Sequence, residues 1–298
     1  MKLPRQVTAV SVPPAPVLVA GVLFASFSSI FIRLSSAPPL VIAFYRMTFA
    51  AVLISPWFFA KALREAKALT ARERWLLLAS GASLGMHFAT WITSLSYTSV
   101  ASSVVLVSTH PILVYLMSRL FLREPGSMRR FLFVLLAVAG SGVLSAGDIG
   151  KGSHALFGDF LALLGAASVA VYLVIGRSVR ARRSLTLYTF LVYTISALFL
   201  LLCVIAAGDR FAPYPPRDFL LFAALAVVCT LLGHSIYNWA LRYLSSTFVS
   251  VSVLIEPIAA SLMAYLFFSE VPNALNALGA VQILIGIYGY SRLRDRGN

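Results

Sequence analysis

Apolar runs recur along the whole chain, separated by short breaks that carry charge, proline or glycine. Leu76 to Leu95, Val100 to Leu122 and Phe131 to Leu144 are typical, and a helix needs about 20 predominantly apolar residues to cross the hydrocarbon core of a bilayer. The pattern predicts ten spans, at 16–34, 39–60, 74–95, 99–122, 129–146, 155–176, 185–207, 217–241, 246–268 and 273–291. The expected fold class is an all-α integral membrane protein with ten transmembrane helices. The first run follows Lys2 and Arg5 in the manner of a secretory signal, but it is as long as a full span and ends in Phe31-Ile32-Arg33 without a small-residue cleavage site, so it counts as the first helix.

Composition agrees. Hydrophobic residues make up 60% of the 298 and charged ones only 11%, with a mean hydropathy of +0.89, so water is not the main solvent of this chain. A net charge of +14 would suggest nucleic acid in a soluble protein. Here the basic residues lie between apolar runs, and the positive-inside rule accounts for them better. With both termini in the cytoplasm, every Lys and Arg falls on the cytoplasmic side except Arg33, Lys151, Arg210, Arg217 and Arg46, the last inside the second span. The expected location is the cytoplasmic (inner) membrane. Cys203 and Cys229 sit within apolar segments and read as small hydrophobes. No cofactor, metal site or nucleic-acid partner is expected.

The chain also repeats itself. Pro111 to Glu124 aligns without gaps, at an offset of 146, with Pro257 to Glu270, and seven of the fourteen positions are identical. Leu84, Gly85 and Trp91 fall on Leu232, Gly233 and Trp239 at an offset of 148, and Arg33 on Arg177 at 144. The expected halves are 16–146 and 155–291. Each holds five spans, an odd number, so the second enters the membrane inverted. The loops reverse charge accordingly: four arginines lie at or beyond the end of the fourth span and none at that of the ninth, while one lies at the end of the first and four follow the sixth.

Ionisable groups inside a bilayer are costly unless they have a task or a partner. Glu256 precedes Pro257 midway along the ninth span, and His110 precedes Pro111 at the equivalent place in the fourth. Each proline deletes a helix hydrogen bond, leaving the carbonyls of Val107 and Val253 without their usual donor. Paired polar-proline steps at repeat-equivalent depths point to a transport site; helix kinking alone is the plainer reading. Helical spacing adds polar stripes: His87, Thr90, Trp91 and Ser94 in the third span, and Ser99, Ser103 and His110 in the fourth. In the eighth, His234, Asn238 and Arg242 share a face with Tyr237 and Trp239 beside them, and in the ninth Ser252 and Glu256 lie one turn apart. Ser, Thr and Asn also serve as interhelical glue, at about 0.6 kcal/mol per contact. Inversion sets Thr90-Trp91 toward the outside and Asn238-Trp239 toward the cytoplasm, so the two pairs are expected to flank opposite mouths; ordinary packing is the alternative. Arg46 either pairs with Glu256, binds a carboxylate, or snorkels to the outer interface.

Enzyme signals are weak. No phosphate-binding loop, metal-ligand spacing, paired intramembrane Asp or nucleophile elbow occurs. Gly150 to Ser153 superficially imitates a phosphate loop but lacks the upstream glycine.

Taken together, Ser94 to Ser103, His110-Pro111-Ile112-Leu113 up to Glu124, Ile255-Glu256-Pro257-Ile258 up to Glu270, and Tyr45-Arg46 resemble the drug/metabolite transporter superfamily, in its ten-helix branch with two EamA repeats. His110 departs from the small or apolar residue that many relatives have before the proline. The resemblance implies a basket of helices around a cavity lined by spans 1, 3, 4, 6, 8 and 9, with spans 5 and 10 in support. It also implies secondary transport by alternating access, as an exporter of small metabolites such as amino acids, in some relatives by proton exchange. Glu256 would then contribute a protonatable anion sensitive to a substrate amine, and Trp91, Tyr237 and Trp239 flat surfaces for aromatic or cationic groups. The protein would act as a monomer or homodimer in the lipid bilayer. A membrane-embedded enzyme and a receptor or scaffold without transport are the alternatives.

Overall fold

The computed structural model describes residues 13–98, 100–145, 155–268 and 273–293. Lys2, Arg5, Ser99, Gly150 to Ser153, Glu270, Arg294 and Arg296 lie outside the described residues. Among the described residues ten helical rods run in order: α1 Pro14–Leu34, α2 Pro39–Lys67, α3 Ala71–Ser94, α4 made of Val100–Val107, His110–Met117 and Ser118–Leu122, and α5 Met128–Ser145. The second half follows with α6 Ala155–Arg180, α7 Leu185–Ala207, α8 Pro216–Ala240, α9 made of Ser246–Val253 and Ile255–Phe268, and α10 Ala274–Arg292. Among the described residues, nine helices are long and apolar enough to cross a membrane; α5 supplies the tenth rod.

Local chemistry sets the starts. Proline, which lacks an N–H to satisfy, opens α1, α2 and α8 in the first turn. Thr70 with Glu73, and Asn273 with Asn276, form reciprocal capping boxes on α3 and α10, while Ser184 and Ser245 cap α7 and α9. Two rods outrun the expected spans. α2 continues through a π-helical turn, Phe58–Ala62, to Lys67, and α6 runs on to Arg180; the basic end of α6 is held by the carboxylate and carbonyls described below.

The halves interlock pairwise. α1 packs antiparallel on α8, where a Cβ on Gly21 would meet Ile236 and one on Gly233 would meet Ala25. α6 packs antiparallel on α3 in the same way, Gly158 against Thr98 and Gly165 against Thr90 and Trp91. Exchanging the halves turns the first pair into the second. The second helices pair with each other, Phe58 stacking on Phe190 at 4.0 Å, and so do the fifth: along α5 and α10, Phe133 faces Gly289, Ala137 faces Gly286 and Leu144 faces Gly279. Odd halves joined by such pairings form two inverted five-helix repeats. Small residues allow the close approach that drives helix association in lipid.

Bonds between elements identify the two ends. Arg183 with Glu73, Ser184 with Glu65, and Arg130 with the Leu293 carbonyl lie at one, the arginine-rich end. Ser36 with Asp218 and Asn276 with the Leu144 carbonyl lie at the other.

Candidate functional site

Between these ends lies a cavity of about 110 Å³. α1 contributes Ser26, Ser28 and Ser29, flanking its turn at Phe27; α3 contributes His87, Phe88 and Trp91; α4, Val104, Val107, Ser108 and His110. The second half adds Val169, Tyr172 and Leu173 from α6, His234 and Tyr237 from α8, and Val253, Leu254, Glu256 and Pro257 from α9. α2 reaches in with Arg46 alone, an addition to the six helices that the family resemblance implied.

The two polar-proline steps break their helices at equivalent places. α4 turns at Ser108 and Thr109, α9 at Leu254. On α4 the freed Val107 carbonyl accepts a hydrogen bond from Nδ1–H of His110 at 3.0 Å, so this histidine repairs the bond its proline neighbour removes. Its Nε2 is buried without a partner. On α9 the break turns Glu256 to the cavity, where the Tyr237 hydroxyl donates to Oε1 at 2.6 Å.

Arg46 is fully buried. Its Nε donates to Thr230 Oγ1 at 2.8 Å, and its guanidinium carbon lies 4.2 Å over the Phe88 ring, a cation–π contact. It makes no ion pair with Glu256, and it does not snorkel outward. His87 donates from Nδ1 to the Gly165 carbonyl at 3.0 Å, tying α3 to α6, and stacks with Trp91 at 5.9 Å.

Of the residues singled out from the sequence, the cavity gathers Glu256, His110, His87, Trp91, Tyr237, His234, Arg46 and Pro257. Thr90, Ser94, Ser103, Asn238, Trp239, Ser252 and Pro111 are not among its lining residues. The hydroxyl of Thr90 bonds back to the Met86 carbonyl and that of Ser252 to the Phe248 carbonyl, while Ser94 and Ser103 join α3 to α4 at 2.6 Å. Asn238 accepts from Tyr172 at 2.7 Å and reaches Tyr193 at 3.4 Å, and Trp239 packs on Tyr243 at 4.9 Å. The stripe on α8 therefore runs through His234 and Tyr237, not His234 and Asn238.

A polar plug closes the cavity toward the arginine-rich end. Below the Tyr172-Asn238-Tyr193 chain, Arg180 donates to the Asn238 carbonyl at 3.0 Å. Arg177 binds Glu124 at 3.2 Å and the carbonyls of Leu241 and Arg242 that end α8. Glu124 also accepts the backbone N–H and hydroxyl of Ser246 at the start of α9. Arg183, gripped by both oxygens of Glu73, is held above the ordinary guanidinium range by that carboxylate.

Sequence reasoning missed Thr230, Phe88 and Tyr172. Thr230 belongs to a π-helical stretch, Leu225–His234, and donates to the Leu225 carbonyl five residues back at 3.0 Å, which aims its oxygen at Arg46. Such stretches often mark functional sites, yet nothing in an apolar run announces one.

Comparison with known proteins places this geometry. The EamA-like transporter family matches the chain twice, over residues 14–146 and 156–292. A transporter of Archaeoglobus fulgidus is 26% identical over 275 residues, covering 88% of this chain and 91% of that protein. The pseudopaline exporter CntI of Pseudomonas aeruginosa is 25% identical over 261 residues, 87% of this chain and 88% of the exporter. A solved crystal structure shares the fold, with a TM-score of 0.76 over 95% of this chain and 97% of that one at 18% identity. With apolar rods, a doubled family match and relatives that are transporters, this chain is an integral membrane protein of the EamA-like transporter family.

Proposed function

We propose that this protein is a secondary active transporter that exports small metabolites such as amino acids across the cytoplasmic membrane by alternating access, both termini facing the cytoplasm. Its two moving units are residues 16–146 and 155–291. The observation that carries this reading is one cavity lined from both halves, holding a buried cation and a carboxylate, with a network of polar contacts between it and the arginine-rich end. The exporter named among the relatives supports the direction, and the basic loops support the orientation.

Glu256 is the proposed coupling group, because it is the acidic residue among those lining the cavity and its hydrogen bond from Tyr237 stabilises one protonation state against the other. In proteoliposomes, counterflow with and without a pH gradient tests this across amino acids, amines, nucleobases and sugars. Solute flux through the wild type should respond to the gradient, whereas flux through Glu256→Gln should not. Gradient-driven flux of wild-type size in that variant would take Glu256 out of the mechanism.

A further inference from the structure

Burying a guanidinium normally requires that all its donors be used, since an unpaired buried charge costs several kcal/mol. Arg46 breaks this rule. It is 0% exposed, its Nε is satisfied by Thr230, and yet Nη1 and Nη2 have no partner. These nitrogens form the edge of the fork that grips a carboxylate with two parallel hydrogen bonds. Three contacts hold the fork still: Thr230 at Nε, the Leu225 carbonyl behind Thr230, and the face of Phe88 beneath the guanidinium. Glu256 shares the cavity without pairing with Arg46; its Oε1 is engaged by Tyr237.

We infer that Arg46 is a carboxylate subsite in the cavity, and that the ligand is a monocarboxylate with its cationic group turned toward Glu256. The inference rests on the transport reading and adds to it the end of the solute that is read. A single guanidinium balances one negative charge. A phosphate dianion would leave an excess beside Glu256, so the chemistry favours a carboxylate. Trp91, stacked on His87 in the same wall, suits an aromatic or aliphatic body between the two charged ends.

The test is direct binding to the purified full chain in detergent, using radiolabelled L-phenylalanine and L-histidine, their decarboxylated twins phenethylamine and histamine, and inorganic phosphate. Hydrogen bonds to a charged group translate into a preference of about tenfold or more for each acid over its amine. Arg46→Gln should bring that ratio to about one by removing the same bonds, and Arg46→Lys should keep part of it. Thr230→Val leaves the charge in place but frees the fork; as a positioning residue it should lower the acid-to-amine ratio while amine binding is unchanged. That variant keeps the test open if Arg46→Gln does not fold.

Equal binding of acid and amine by the wild type would overturn the subsite. So would a ratio that survives in folded Arg46→Gln and in Thr230→Val, Arg46-dependent binding of phosphate, or no binding by any probe. The transport reading fails separately: protein that binds acids through Arg46 but passes none of them in proteoliposomes would keep the subsite and lose the exporter.

Discussion

Glu124→Ala should lower stability by about 2 kcal/mol, a value reduced from the 3–5 kcal/mol of a fully buried pair because Arg177 is partly solvated. The side chain of Glu124 is 7% exposed and that of Arg177 16%. One carboxylate here ties three helices: Arg177 of α6 at 3.2 Å, and the N–H and hydroxyl of Ser246 of α9 at 3.2 and 3.0 Å, from the end of α4. The left-handed Arg123, at φ 55°, turns the chain so that Glu124 folds back over α4 and its N–H bonds the Ser118 carbonyl. In the proposed cycle these bonds must break for the arginine-rich end to open, so their loss favours the open form. A cysteine at buried Ser250, in a background of Cys203→Ala and Cys229→Ala, reports that opening. A 2 kcal/mol change corresponds to labelling about thirtyfold faster in Glu124→Ala. Glu124→Gln, which keeps an acceptor for Ser246, should fall between. Identical melting and labelling in Glu124→Ala and its parent would dismiss the plug as a gate.

Gly279→Val should leave little folded protein. A Cβ at Gly279 would lie 2.4 Å from the Leu144 amide nitrogen and 2.5 Å from the Gly140 carbonyl oxygen, and backbone cannot step aside. Gly140 and Gly286 meet backbone nearly as closely, at 2.8 Å, so α5 and α10 touch main chain to main chain along the seam. Forcing them apart forfeits the packing that holds helices together in lipid, at a cost of about 3 kcal/mol or more; even Gly279→Ala should melt well below wild type. Gly142 is the control. Its Cβ would meet only Val105, at an ordinary 3.9 Å, and alanine there should be neutral or stabilising by up to about 1 kcal/mol. Equal melting of Gly279→Ala and Gly142→Ala would refute this account of the seam.

The candidate site was only partly legible in advance. Glu256 and His110 stood out because an ionisable residue in an apolar run is conspicuous by type, whatever surrounds it. The stripes assume one unbroken α-helical period, and the helices depart from it at particular residues. Between Ser103 and His110 the helix turns at Ser108 and Thr109, and between Ser252 and Glu256 it turns at Leu254. Each turn swings the two members of the predicted pair to different neighbours. Thr90 and Ser94 went another way, their hydroxyls returning to carbonyls of their own helix.

What the amino-acid sequence determined by itself was the all-helical membrane fold and its doubled plan. Span length, apolar content and loop charge are local quantities that act along the chain whatever the chain later touches. Only the tertiary structure decided which polar groups share the cavity, that Arg46 is held by Thr230 rather than by Glu256, and that Glu124 and Arg177 plug one end. Those partners lie 184 residues apart in the first case and 53 in the second, and a hydrogen bond between distant residues depends on where packing sets each helix about its axis, which no local pattern encodes.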